Sequence, residues 1–291
     1  RDIAPDDPRG WRLGGGVTYA SLTTARLGLS TAALIGVDAA AASADELDTL
    51  RAAGVEVHLA PLPESPVFRN TETAAGRVQI AIAPGVPLEP QPLPASWLAA
   101  PGWSLVPVAD EVGEAWVEHI PDGATVAVGW QGMLRTLVAG QRVERRPPVS
   151  NALLRRADLV GVSEFDLPPA TDPVDLVRYL RPGARLVVTR GDRGGLLMDV
   201  AEITGAAPRR SDYRAIAHEV AVDATGAGDT FLAVLLAVTL RPELLGGERG
   251  QLGANLRFAA AAASLTVTAR GLDGIGDLRA VTALATGEAH I

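Results

Sequence analysis

The run Asp223-Ala224-Thr225-Gly226-Ala227-Gly228-Asp229-Thr230-Phe231 is where this chain could do chemistry. A strand-like stretch, Glu219–Val222, precedes it, and a strongly apolar helical pattern, Gly226–Thr239, follows. Gly226, Ala227 and Gly228 therefore stand at a helix N-terminus. Small residues there let a ligand approach the backbone, and the unpaired N–H groups favour an anion such as phosphate. Asp229 falls in the first turn of the same helix. A carboxylate beside an anion hole is badly placed to bind phosphate and well placed to take a proton from a hydroxyl attacking it. The motif taken alone also reads as a capped helix behind a glycine turn. Both readings stay open at this point.

What the chain lacks narrows the chemistry further. It has 291 residues, no cysteine and a net charge of −8. Thiol nucleophiles, disulfides and thiolate-ligated metal sites are therefore excluded, and nucleic acid or an anionic membrane is not the expected partner. All 26 basic residues are arginine. With no lysine, a Walker A P-loop, a protein-kinase fold and any lysine Schiff-base enzyme are ruled out. The four histidines show no metal-ligand spacing.

The elements that must position Asp229 alternate along the chain. A helix over Gly16–Leu27 follows Gly14-Gly15-Gly16, and a strand is expected at Ala32–Val37. Ser43 with Glu46 has the spacing of a capping box for a helix over Asp45–Ala53, and Val55–Leu59 reads as a strand. Two strands, Val67–Thr73 and Arg77–Ala83, flank an Ala74-Ala75-Gly76 turn inside a proline-rich bracket, which suggests an inserted flap. Strands at Ser104–Val108, Thr125–Gly129, Leu159–Val162, Leu186–Thr189 and Gly195–Met198 come next, with a helix over Glu111–His119. Another helix starts at Asp172-Pro173, and two apolar helices, Gly226–Thr239 and Leu252–Thr268, close the chain. Short buried strands alternating with helices imply an α/β fold with a mostly parallel central sheet covered on both faces.

Three blocks of this chain resemble the ribokinase-like (PfkB-type) carbohydrate kinases. Asp223–Phe231 is similar to that family's D-T-x-G-A-G-D-x-F signature, departing at Ala224. Gly14-Gly15 with Ala25-Arg26-Leu27-Gly28 matches its N-terminal signature, and Thr189-Arg190-Gly191-Asp192-Arg193-Gly194 its T-x-G-x-x-G block. The resemblance implies a three-layer α/β/α core formed by residues 1–60 and 95–291, with 61–94 an inserted β-ribbon lid. It implies an ATP-dependent kinase that phosphorylates a hydroxyl of a small sugar, cyclitol or nucleoside. Asp229 would be the base and Gly226, Ala227 and Gly228 the anion hole. Thr189, Gly191, Gly194, Thr225 and Ala260 would line the ATP site.

The same resemblance places acceptor contacts at Asp2, Gly14, Gly15 and Tyr19, and Mg²⁺ near Asp166 and Asp223, with a monovalent cation as a further cofactor. Asp2 also reads as a solvated terminal aspartate. Arg69, Asn70 and Gln79 on the ribbon could touch the acceptor or be ordinary exposed strand residues. The chain departs from the family at Tyr19 and Ala260, where asparagines are usual, and at Ser163, where the N-x-x-E motif has its amide. Those departures weaken a ribose or fructose 6-phosphate reading. They also keep open a catalytically silent sugar- or nucleotide-binding protein on the same fold. A dinucleotide-binding fold lacks its G-x-G-x-x-G frame here. A cytoplasmic protein is expected, with a small polyhydroxylated substrate, no nucleic-acid or membrane partner, and a homodimer through the lid.

Overall fold

The computed structural model describes residues 1–73, 76–203, 206–217, 221–245 and 252–288. Within them the main sheet runs Arg209–Tyr213, Gly195–Asp199, Arg185–Thr189, Leu159–Ser163, Thr125–Gly129, Gly102–Leu105. The last four strands are parallel, and the first two are added antiparallel at one edge. Side chains alternate across this sheet, as the period of a strand requires. Val126, Val128, Leu186, Val188, Leu196 and Met198 face a layer containing Trp116, Trp130, Leu153 and Leu176. Ala127, Val187 and Leu197 face the other way, onto the helices Ala227–Leu240 and Leu252–Thr266. Gly161 sits on that second face because a methyl there would already lie 3.2 Å from Leu232. The sheet is thus buried on both sides, in three layers.

The helix Gly16–Arg26 and the helix Asp45–Ala52 form a second core with the parallel pair Ala32–Val37 and Glu56–Pro61. This pair does not hydrogen-bond to the main sheet. The expected capping box does not form. Ser43 lies in a short 3₁₀ turn and Ala44 is the N-cap. Glu46 turns instead to Arg9 and to the backbone N–H of Leu13, which it binds at 3.0 Å. Local spacing fits a box, but a charged partner 37 residues away takes the carboxylate. Glu46 therefore anchors the segment that leads into Gly14.

The ribbon expected to form a lid belongs to a five-stranded sheet stitched from separated segments. Its order is Gln141–Arg142, Gly76–Ala83, Val67–Thr73, Asp2–Ile3, Trp11–Arg12. The ribbon expected at 61–94 supplies two of these strands. The rest of that stretch returns to the core, where the Trp116 indole N–H donates to the Leu88 carbonyl at 2.7 Å. The Ala74-Ala75 turn lies outside the described residues, as does the beginning of the strand expected at Glu219–Val222. His218 and His290 are outside them too.

Other differences are local. The helix expected at Glu111–His119 is a 3₁₀ segment, Glu114–His119, and the strand expected at Ser104–Val108 is Gly102–Leu105. Asp172 caps its helix as its sequence predicts, accepting from the Val174 N–H at 2.9 Å, but the α-helical part covers only Pro173–Leu176. The chain ends on a further amphipathic helix, Leu278–Thr286, which buries Val281 and Leu284 and which the sequence reading passed over. No helix among the described residues is long and apolar enough to cross a membrane.

Candidate active site

A cavity of about 1380 Å³ takes in the cleft between the five-stranded sheet and the carboxyl ends of the parallel strands, and continues past Ala32, Gly102 and Leu240 toward the opposite end. Ligands of open α/β sheets gather at the carboxyl ends, where strands feed into loops and helix N-termini. The helix Ala227–Leu240 starts on the cleft wall. Gly226 is its N-cap, with φ 78° and no side-chain cap, so the first-turn N–H groups face the cleft without a helical partner. Asp223 shapes the approach by accepting the Thr225 N–H at 2.9 Å. The positive φ is one reason for glycine at 226. The other is Tyr19, because a methyl on Gly226 would collide with its ring.

Asp229 lines the cleft from the first helical turn. Its Oδ1 lies 2.7 Å from where a β-carbon on Gly16 would be. The same hypothetical atom would stand 2.9 Å from the Val106 carbonyl oxygen. At the other end of the glycine run, a methyl on Gly14 would collide with Asp2 Oδ2. Gly14 and Gly16 thus each make room for one carboxylate, and the helix Gly16–Arg26 begins between them. Asp2 Oδ1 accepts from Asn70 Nδ2 at 2.9 Å, and Asn70 Oδ1 accepts from Gln79 Nε2 at 2.7 Å. This chain of amides carries the five-stranded sheet's polar face to Asp2.

Burial pushes the Asp229 carboxyl up to about 7, the Asp166 charge adds to the shift, and the Arg135 guanidinium opposes it. A base that titrates near neutrality is matched to proton transfer from a hydroxyl. Gly16→Ala tests the geometry. The backbone carbonyl of Val106 cannot yield as a flexible side chain would, so the helix start must shift away from Asp229. Turnover should fall at least tenfold with the fold retained, as steady-state kinetics and circular dichroism together would show. Unchanged kcat would mean the contact between Gly16 and Asp229 is idle.

The residues singled out in the sequence divide on the structure. Gly14, Gly15, Tyr19, Asp2 and Asn70 line the cleft with Gly226, Ala227, Gly228 and Asp229. So do Thr189, Gly191, Gly194, Thr225, Ala260 and Asp166. Gly194 is a glycine by necessity, since any β-carbon there would run into the Tyr213 backbone and φ is 79°. Tyr19 is 2% exposed and packs beneath Gly226, so its ring supports the glycine loop rather than reaching for an acceptor. Arg69 is exposed and outside the cleft lining, because strand alternation sends Phe68 and Asn70 inward and Arg69 out.

The two carboxylates expected at a metal stand in different surroundings. Asp223 is occupied with the Thr225 N–H and does not line the cleft. Asp166 is buried, with Arg135 Nη2 at 3.0 Å and Gln131 Nε2 at 3.3 and 3.2 Å from its two oxygens. Among the described residues no three His, Asp or Glu side chains form a metal-binding group. This donor set does not fit a protein-held Mg²⁺. Arg135 and Gln131 were missed in the sequence, although a signal was there. Gln131 follows the strand Thr125–Gly129, at the strand end where α/β sites are built, and Arg135 comes one 3₁₀ turn later, after Gly132–Leu134.

Comparison with known proteins agrees with this architecture. The profile of the pfkB family carbohydrate kinases matches residues 150–275. No curated protein matches the chain by sequence. Among solved structures, a pyrophosphate-dependent kinase in the ribokinase family, in a sulfate complex, is similar at TM-score 0.69 and 18% identity, over 94% of this chain and 91% of that one. Ribokinase from Thermotoga maritima is similar at TM-score 0.65 and 15% identity, over 98% and 94%. A nucleoside kinase from Methanocaldococcus jannaschii is similar at TM-score 0.67 and 14% identity, over 94% and 86%. The fold is that of ribokinase along nearly all of the chain, and residues 150–275 match the model of the pfkB family carbohydrate kinases.

Proposed function

We propose that the protein is a kinase that moves a terminal phosphoryl group to a hydroxyl of a small sugar, cyclitol or nucleoside. The observation that carries this is the placement of Asp229, a carboxyl raised to about 7, in the first turn after the uncapped helix start at Gly226 and beside Gly16, with Asp2 beside Gly14 in the same glycine run. In this reading the first-turn N–H groups hold the terminal phosphate oxygens, and Asp229 takes the proton of the incoming hydroxyl. Asp2, steadied by Asn70 and Gln79, accepts hydrogen bonds from the acceptor's other hydroxyls. The lid sheet excludes water, which would otherwise compete as acceptor. Thr189, Gly191, Gly194, Thr225 and Ala260 border the donor.

ATP is the donor that the family resemblance implies. Pyrophosphate is a second reading, favoured by the similarity to structures of pyrophosphate-dependent kinase in the ribokinase family, one of them complexed with a pyrophosphate analog and myo-inositol. The test is a transfer assay with ATP and pyrophosphate as alternative donors against a panel of sugars, cyclitols and nucleosides, with Mg²⁺ present. Phosphorylated product from one donor–acceptor pair is the expected result. Thermal stabilisation by a ligand with no product from any pair would instead favour a silent binding protein.

Asp2→Ala addresses the acceptor side. Hydrogen bonds to a charged group contribute on the order of 1.5–3 kcal/mol. The acceptor KM should therefore rise at least tenfold while the donor KM stays nearly constant. An unchanged acceptor KM would return Asp2 to a purely structural role in the lid sheet.

A further inference from the structure

Arg135 is the cation whose charge acts on Asp229. Its side chain is 10% exposed and lines the cleft. One N–H meets Asp166 at 3.0 Å, and another meets the Val108 carbonyl oxygen at 3.2 Å. The guanidinium lies 5.9 Å from the centre of the Phe68 ring on the lid strand Val67–Thr73. A guanidinium has five N–H donors. Two are engaged by these contacts, and the rest remain on a group that borders the cleft.

A buried Arg–Asp pair is weak evidence for stability, since well-packed apolar residues often do as well in its place. This pair needs another explanation, and its position supplies one. Asp166 is held by Gln131 on both oxygens and holds Arg135 in turn, so the guanidinium is fixed before any substrate arrives. The first-turn N–H groups behind Gly226 border the same cleft as Arg135. A phosphoryl group attacked by a hydroxyl next to Asp229 would have both these dipoles and Arg135 in the cleft that holds it.

We propose that Arg135 is the cation that contacts the phosphoryl group during its transfer, and that Asp166 and Gln131 are its positioning residues. The inference rests on the phosphotransferase reading above. In the step, the acceptor oxygen–phosphorus bond forms as the bond from phosphorus to the leaving phosphate oxygen breaks. The electron pair of that bond departs with the leaving group, and the acceptor's proton passes to Asp229. Arg135 stays protonated throughout and neutralises charge on the equatorial oxygens, where a fixed cation is worth most. Asp166 acts through Arg135, which is why its carboxylate is turned away from the role expected of a metal ligand.

The experiment uses Arg135→Ala, Arg135→Lys and Asp166→Asn in the full chain, on whichever donor–acceptor pair the wild type turns over. An arginine in this role is typically worth about 10³–10⁵ in rate. Arg135→Ala should lose at least 10³ in kcat, with the donor KM changed less than tenfold. Millimolar guanidinium should restore part of that loss and should restore nothing in Asp229→Asn. Arg135→Lys keeps the charge if the alanine variant folds poorly, and should be intermediate. Asp166→Asn should lower kcat without raising the Mg²⁺ concentration needed for half-maximal rate. A kcat within tenfold of wild type in folded Arg135→Ala or Arg135→Lys, or the absence of guanidinium rescue, would overturn the proposal while leaving the kinase reading standing. A shifted Mg²⁺ requirement in Asp166→Asn would return Asp166 to the metal. Failure of the wild type to transfer phosphate from either donor would defeat the kinase reading first, and this assignment with it.

Discussion

In Asp229→Asn, kcat should fall by about 10²–10⁴, the usual contribution of a positioned general base. Asparagine keeps the size of the side chain and removes the basic oxygen, so donor and acceptor KM should hold within a few-fold. The pH dependence gives a second readout. The carboxyl is raised from its ordinary 3.8 to about 7 by burial and by Asp166, with Arg135 opposing. The free enzyme's kcat/KM should therefore climb with pH through about 7 and level off above it. Stability moves the opposite way. Between pH 3.8 and about 7 the native state binds a proton that the unfolded chain has released, so native stability falls as pH rises across that window. Asp229→Asn removes the charged form, and should melt higher than wild type at pH 8 and together with it near pH 4. Equal melting temperatures at both pH values would show that Asp229 is solvated and the assignment wrong.

Gly226→Ala and Gly228→Ala should fail in different ways. At Gly226 the backbone has φ 78° and the Tyr19 ring fills the space a methyl would need. The left-handed conformation alone costs about 1–2 kcal/mol for an L-residue, and the collision adds to it. A loss of roughly 4–8 °C in Tm or more is expected, at about 2–4 °C per kcal/mol in a protein of this size class. Damage at Gly226 thus begins beneath the loop, in its support, before any side chain enters the cleft. A β-carbon on Gly228 meets nothing within 4 Å, and this residue lines the cleft. Gly228→Ala should melt like wild type yet bind the donor at least tenfold more weakly, as calorimetry with pyrophosphate and an ATP analogue would measure. The reverse pattern would mean that Gly228 holds the loop and Gly226 the ligand.

Features written in local sequence were legible. The alternation of short apolar strands with helices gave the layered sheet, and the Gly226–Asp229 start was visible because small residues, first-turn acid and apolar helix are contiguous. The glycine run marked a helix entrance, though not that each of two glycines faces a different carboxylate. What escaped depends on partners distant in sequence. Glu46 fits a capping box by spacing, and only the fold brings Arg9 and Leu13 to it. Asp166 fits a metal site by position in a motif, and only the fold brings Arg135 and Gln131. Tyr19 sits where a polar ligand was expected, but an aromatic ring there is governed by what it packs against. The C-terminal helix Leu278–Thr286 was overlooked although its apolar spacing is helical, because the two stronger patterns before it drew the boundary too early.

Asp2 belongs to the lid sheet, through Asp2–Ile3 pairing with Val67–Thr73, whereas Asp229 belongs to the layered body. In the proposed reading, the group that binds the acceptor and the group that takes its proton are therefore mounted on separate parts, Asp2 on a sheet strand and Asp229 on a helix of the layered body. Any swing of the lid sheet carries Asp2 along and changes its separation from Asp229. A polyol gripped by Asp2 can offset the cost of holding the two parts together, while a water molecule, with a single oxygen, cannot bridge them. If the protein is the kinase proposed above, selection against hydrolysis becomes a matter of leverage: the molecule that receives the phosphate must be long enough to join the two parts of the site.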